Sequence, residues 1–442
     1  MSKTFRPWDV DQVWLLPPSI QEFVPAGHLA HFVRDTVRNG LDLSGIMASY
    51  EEERGYPPYH PGMMVALLLY AYSRGVYSSR RIAVACEERL DFAAVTGMQR
   101  PDFRTISDFR KRHLTALAGL FGQVLKLCQA AGLVKLGHVA LDGTKIKANA
   151  SKHKAMSYGR MKQAEPALVA EVARWLEQAA QSDEADDHQF GAERRGDELP
   201  DWVANKQRRL EKILAAKAAL EAEAGASAAP PDGGDPSAGG TPAKPGAKAE
   251  PPAAVPEDKA QRNFTDPESR IMKAKDGFIQ GYNGQAAVDG KAQVIVAHEL
   301  TNSGSDQAQL EPLLNAIKAN TGANPEEISA DAGYCSDANL RAVAKRRIAG
   351  YIATGRQRHG TTAAVKHRAP RPGSRIARMA SKLKRGGRRS RYRLRKQIVE
   401  PVFGQIKHAR GFRQFLLRGL DKVKSEWAMI CTAHNLLKLA AA

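Results

Sequence analysis

Three carboxylates stand out by where they fall in the chain. Glu400 is the single acid between Ala338 and Leu420, a window that holds 24 Lys and Arg. Asp142 closes a short apolar run, GHVALD, and Asp331 follows another, EISA. The carboxyl ends of buried strands are where α/β folds place catalytic groups. Turn aspartates and helix caps occupy the same places, and more often, so no one of the three acids is diagnostic alone. Together they offer more, because carboxylates converging from separate elements can hold two divalent metals about 3.5–4 Å apart. Mg²⁺ suits such a set, since it seeks oxygen ligands and keeps several waters. One ion would activate water or another hydroxyl, and the other would stabilise the departing oxygen.

The neighbours of these acids are cations. Val399, Val402, Phe403 and Ile406 recur at helical spacing, which places Glu400 on an amphipathic helix. On an ideal helix Tyr392, Lys396, Glu400 and Lys407 fall within about 80° of one another. That wheel favours Lys396 or Arg393 over Arg395 as the phosphate-facing cation. Lys145 and Lys147, just past Asp142, are further candidates for DNA contact. The formal charge of the chain is +19, and the window around Glu400 accounts for more than all of it. A localised basic block is the footprint of a polyanion, nucleic acid foremost; the bland readings are a solvated face or an anionic-membrane patch.

Several classes are disfavoured. Four cysteines (Cys86, Cys128, Cys335, Cys431) lie far apart without CxxC or zinc-ligand spacing, which fits a reducing cytosol. No signal-peptide core opens the chain, and the best apolar run, Met63 to Tyr72, is short of the ~20 residues of a membrane span. A soluble cytoplasmic, nucleoid-associated protein is expected.

The elements that must position the acids are read in order. Residues 1–130 form a helical N-terminal domain; its short helices, tight turns and the run Arg110-Lys111-Arg112-His113 fit either a helix-turn-helix-like DNA reader or plain helical packing. Residues 131–154 begin an α/β core with the Asp142 strand. A helical insertion spans 155–224, two helices joined by an acidic loop, Asp183–Asp187. Residues 225–262, rich in Ala, Pro and Gly, read as a disordered linker. The core resumes over 263–442: two strands around Asp289-Gly290, a helix, the Asp331 strand, a helix, a strand near 350, a basic segment 356–396 and the Glu400 helix. Asp266 and Glu268 either position DNA or cap a helix. Asp276 and Asp289 read as turn residues, and Asp306 as a helix N-cap.

In this order the motifs Tyr59-His60-Pro61-Gly62, Arg104 to Arg110 (RTISDFR), LDGTKIKANAS (141–151), TDPESRIMK (265–273), GYNGQAAVD (281–289), ADAGY (330–334) and VEPVFGQIK (399–407) resemble bacterial insertion-sequence transposases of the DDE class. The resemblance covers nearly the whole chain. It implies an RNase H-like mixed sheet flanked by helices, with Asp142, Asp331 and Glu400 as the catalytic, metal-holding acids. It further implies Mg²⁺ (or Mn²⁺), two ions per site, double-stranded DNA as the partner (terminal inverted repeats and target), and a homodimer or higher on DNA. The family's Tyr-x₂-Arg-x₃-Glu-x₆-Lys signature is met by Glu400 and Lys407. Its upstream half is not, since Tyr392-x₂-Arg395 stands one residue too far away. Alternatives are a nuclease of the same fold that cuts without joining and an inactive DNA-binding repressor.

Overall fold

The computed structural model of the chain describes residues 19–50, 58–190, 201–228, 255–274, 277–355 and 370–442. It opens on helices: α1 Leu29–Gly40, α2 Ser44–Met47, α3 Pro61–Ser73, α4 Ser79–Glu88, α5 Leu90–Thr96, α6 Phe103–Arg112 and α7 Leu114–Ala130. The apolar run in α3 is buried almost all round. Pro61 starts this helix, where a missing N–H costs nothing. Past its end Gly75 adopts φ +77°, and a Cβ there would stand 2.7 Å from the Arg410 carbonyl oxygen, so only glycine fits. Asp102 caps α6 by accepting the Arg104 amide at 2.7 Å. Arg110, part of the run considered for DNA reading, is buried instead. It donates to the Tyr72 hydroxyl and Tyr77 carbonyl at 3.1 Å and to Ser79 at 3.3 Å. A buried guanidinium needs partners, and this one ties α6 to the segment leading from α3 into α4.

Then follow β1 His138–Lys147, β2 Ala155–Ser157, α8 Tyr158–Phe190, α9 Asp201–Ala228, β3 Gln261–Asn263, β4 Arg270–Ala274, β5 Gly277–Asp289, β6 Ile295–Thr301, α10 Leu310–Thr321, β7 Glu327–Ala330, α11 Asp337–Lys345, β8 Ala349–Ile352, α12 Arg375–Gly386, α13 Leu394–Gly404 and α14 Leu420–Ala440. The main sheet runs β6-β5-β1-β7-β8, with β4 beside the first residues of β5. Strand β5 is antiparallel to β1, β4 and β6, whereas β1, β7 and β8 are mutually parallel. This mixed sheet flanked by helices is the RNase H-like core expected from the sequence.

The register corrects one expectation. Asp142 does not end its strand, because β5 pairs with β1 all the way from Val139 to Lys147. Only the parallel ladder with β7 stops early, at Leu141 opposite Ala330. Asp142 and Asp331 are therefore the next residues on two neighbouring strands, whose spacing is about 4.8 Å.

The insertion is an antiparallel helical hairpin with its own small core of Tyr158, Met161, Ile213, Ala216 and Leu220. The β2–β3 ladder closes its base. Asp183–Asp187, expected as a loop, continue α8, since no Gly or Pro interrupts the chain between Pro166 and Gly191. Of the stretch expected as a linker over 225–262, α9 takes in the residues up to Ala228 and β3 those from Gln261, while 229–254 lie outside the described residues. So do 356–369 of the basic segment, and Asp276.

Helix α14, absent from the sequence reading, joins the two halves. It is buried from Glu426 to Leu436 and packs on α3, α7 and β6, so the N-terminal helices and the sheet share one hydrophobic core. Asp266 and Glu268 cap this distant helix: Glu268 accepts the Leu420 amide at 2.7 Å, and Asp266 accepts that of Gly419 at 3.2 Å. Asp289 is a turn residue that accepts the Leu136 and Lys291 amides at 2.7 and 2.8 Å. Among the described residues no helix is long and apolar enough to cross a membrane.

Candidate active site

Asp142 lies in the floor of the site. Its carboxylate accepts the Gly143 amide at 2.9 Å and the Arg395 guanidinium at 2.7 Å. Burial pushes its carboxyl up to about 6; the Arg395 charge opposes the shift and Asp331 adds to it. Asp331 opens a single 3₁₀ turn, Ala332–Tyr334, and steadies it by accepting the Gly333 amide at 2.9 Å. Glu400 stands more exposed on α13, a helix that packs on β1 and β5 through the buried Ile398, Val399 and Val402. Arg395 reaches it as well, at 3.6 Å, and so lies between Asp142 and Glu400.

Tyr392 reports on the whole group. Burial raises its phenol, and the charges of Asp331, Asp142 and Glu400 each raise it further against the pull of Arg395. Contacts thus join Arg395 to Asp142 and Glu400, and the Asp331 charge is felt at Asp142, Tyr392 and Arg395 alike. Among the described residues, no three His, Cys, Asp or Glu side chains stand ready to hold a metal ion. In this arrangement a guanidinium supplies the positive charge that the buried Asp142 and its neighbours require. The donor chemistry nevertheless fits a hard divalent cation, being carboxylate oxygen from three separate elements.

The cations depart from the helical wheel. Arg391–Arg393 form a 3₁₀ turn and the α-helix starts only at Leu394, so a uniform 100° step does not apply across them. Arg395, in the first turn of α13, is the side chain against the acids, whereas Arg393 and Lys396 are exposed. Further on, Pro401 has no N–H to donate, and the Gln397 carbonyl it leaves free accepts Gln293 at 3.0 Å. A π-helical turn, Gln405–Ala409, then carries Lys407. Its ammonium donates to the Lys145 carbonyl at 2.7 Å, and burial and the Lys145 charge hold its pKa low. Lys147 is exposed at the end of β1, beside Phe415, whose amide it accepts at 2.9 Å.

Asp306 was expected to cap a helix, yet its side chain makes no cap hydrogen bond. It turns inward to Lys145, Asn283 and Gln285. A signal for it exists: Asn283 and Gln285 are alternate residues in the middle of a buried strand, and buried amides demand partners. The glycines beside the acids are also forced. A Cβ on Gly143 would meet Gln285 and stand 2.6 Å from Asp306, and one on Gly333 would crowd Asp331 at 3.0 Å and Asp306 at 3.1 Å.

Comparison with known families covers much of the chain. A family described as Transposase domain (DUF772) matches residues 18–112, and one described as Transposase DDE domain matches 251–436. Asp331 and Glu400 fall inside the second match. Asp142 falls between the two, and it is the pairing of β1 with β5 and β7 that sets it beside Asp331. No curated protein and no solved structure matches the chain.

Proposed function

The chain belongs to the insertion-sequence transposases of the DDE class, a family that works with divalent metal ions, and from that premise we propose how its residues cut and join DNA. Asp142, Asp331 and Glu400 are the catalytic acids and would hold the ions, Mg²⁺ or Mn²⁺, as a pair. When bound, such ions supply Lewis-acid stabilisation of the attacking and departing oxygens. The reaction is hydrolysis of a phosphodiester at the element's end, followed by transfer of the freed 3′-hydroxyl to a target phosphate. The observation that carries this reading is Arg395 held between Asp142 and Glu400, with Asp331 next to Asp142 across the β1–β7 ladder.

The chain's own side chains place the DNA. Lys407, half-buried and within reach of the Asp142 charge, would pair with the phosphate next to the scissile bond, and Lys145, held by Asp306, with one adjoining it. Arg393, Lys396 and Lys147, on the exposed rim, would follow the backbone further out. Arg395 would leave the acids for a phosphate as the ions enter, so that one guanidinium serves both states. The N-terminal helices are the reader of the inverted repeat. There Arg80 and Arg104, from α4 and α6, both stack on the exposed Phe103 ring, 5.1 and 5.7 Å from its centre. Two arginines held over one ring are preorganised for a DNA surface. A homodimer or larger assembly brings two ends together.

The test uses the full chain, supercoiled DNA carrying the element's ends, and Mg²⁺. Wild type is expected to release 3′-hydroxyl ends and to join them to target DNA. Asp142→Asn, Asp331→Asn and Glu400→Gln should each lower cleavage by at least about a thousandfold with DNA affinity kept. Cleavage that survives Asp142→Asn would remove Asp142 from the mechanism. Cleavage without joined product would make the protein a nuclease.

A further inference from the structure

We propose that Asp306 is a positioning residue for DNA cleavage, a fourth carboxylate that locks Lys145 and the Asp331 turn to the strands of the sheet. The proposal rests on the cleavage reading above.

Three donors converge on one oxygen of Asp306. Oδ1 accepts Asn283 Nδ2 at 2.6 Å, Gln285 Nε2 at 2.8 Å and Lys145 Nζ at 3.3 Å. Asn283 and Gln285 are fully buried on β5, facing Lys145 and Gly143 across the β1 register. Two buried amides on a core strand are costly unless bonded. Here both are spent on the same acid. A carboxylate suits three donors better than an amide would, because one of them is an ammonium.

The network continues to the Asp331 turn by two routes. The far end of Gln285 accepts the hydroxyl of Tyr334, a buried residue that closes the turn begun at Asp331. Asn339 donates at 2.7 Å both to the Tyr334 carbonyl and to that of Gln307, next to Asp306. Asp306 Oδ2, which makes none of the bonds above, borders the same side of Gly333 as Asp331 Oδ1. Asp306 thus connects the Asp142 strand, the neighbouring β5 and the Asp331 turn without any hydrogen bond to Asp142 itself. Small misplacements of reacting groups are expensive in rate, so its loss should slow the reaction more than it weakens binding.

The experiment compares full-length wild type, Asp306→Asn, Asp306→Ala, Lys145→Gln and the double variant Asp306→Asn/Lys145→Gln. In Asp306→Asn, loss of charge-assisted hydrogen bonds predicts a fall in kcat of about 10- to 100-fold, with KM for DNA nearly unchanged and Tm only slightly lowered. Asp306→Ala, which leaves the buried Asn283 and Gln285 amides unpaired, should also lower Tm. Lys145→Gln, which loses a phosphate contact as well, should also raise KM. The double variant should be no slower than the slower single variant. Labelling of Lys145 by an acylating reagent, read by mass spectrometry against Lys147, should rise several-fold in Asp306→Asn. Unchanged kcat, a loss that tracks Tm, or multiplicative losses would overturn the proposal. So would recovery of Asp306→Asn by excess Mg²⁺, which would make Asp306 a metal ligand. If wild type itself shows no cleavage dependent on Asp142, the cleavage reading fails, and unchanged Lys145 labelling then overturns the network on its own.

Discussion

Asp142 and Asp306 are two carboxylates of one site, held in opposite ways. Asp142 keeps a single backbone donor and one long cation, Arg395, shared with Glu400. Asp306 has three donors on one oxygen, two of them amides fixed in a central strand. The first arrangement can exchange its cation; the second cannot be rearranged without opening the sheet. On the proposed mechanism, exchangeable charge stands where metal and phosphate would come and go, and fixed charge where geometry would be kept.

The contrast can be broken most severely at Gly143, whose missing side chain lets the two regions meet. Gly143→Ala drives a methyl into Gln285 and Asp306. Overpacking of this kind costs about 1–3 kcal/mol, so a clear drop in Tm and loss of cleavage by more than about a hundredfold are expected, measured by thermal melt and plasmid cutting. Arg395→Ala separates the regions more selectively. Cleavage should fall by about 10- to 100-fold through the lost charge-assisted bonds. Mn²⁺ binding without DNA, followed by electron paramagnetic resonance, should nevertheless tighten, since no guanidinium competes for Asp142 and Glu400. Weaker Mn²⁺ binding in this variant would show that Arg395 organises the acids instead of occupying their place.

A smaller effect concerns DNA alone. Lys407→Ala should weaken binding several-fold and reduce the slope of log affinity against log salt by about one, read by fluorescence anisotropy over a salt series. The smallest effect is on stability. The Asp142 carboxyl is raised to about 6 by burial. Its contribution is therefore favourable below the ordinary value near 3.8 and is lost as pH rises through about 6. With a chelator present, the Tm of Asp142→Asn relative to wild type should climb by a few degrees between pH 4 and pH 7.5. A flat difference would mean that Arg395 compensates the buried charge fully.

Much of this site could be read from the chain, and the failures have local causes. Apolar runs ending in Asp142 and Asp331 gave two adjacent parallel strands, because strands buried on both faces are written as short hydrophobic segments. The length of β1 was hidden: Thr144 to Lys147 carries two lysines, and only a long antiparallel partner keeps such a stretch in the sheet. Arg395 was ranked below Lys396 and Arg393 because a 3₁₀ turn precedes its helix, and sequence periodicity assumes one uniform helix. Asp306 was missed because its backbone position is that of a cap while its side chain serves tertiary partners more than twenty residues away. Helix α14 buries polar residues (Glu426, Thr432, His434 and Asn435) among its apolar ones and thus lacks the amphipathic stripe by which helices are recognised.

The placement of β1 also has a consequence for the life of the protein in the cell. Its ladder partners, β5 and β7, follow it only after the helical insertion and the residues beyond it. During synthesis, Asp142 leaves the ribosome on a strand that has no sheet to enter. Glu400 and the buried α14 that seals the core arrive last of all. Contacts this distant in sequence form slowly, and domains acquire their fold as the chain is completed. On the proposed site, a chain that stops short of Glu400 therefore has no cutting centre. The ability to cut DNA would arise late in synthesis, once α13 and α14 have been made.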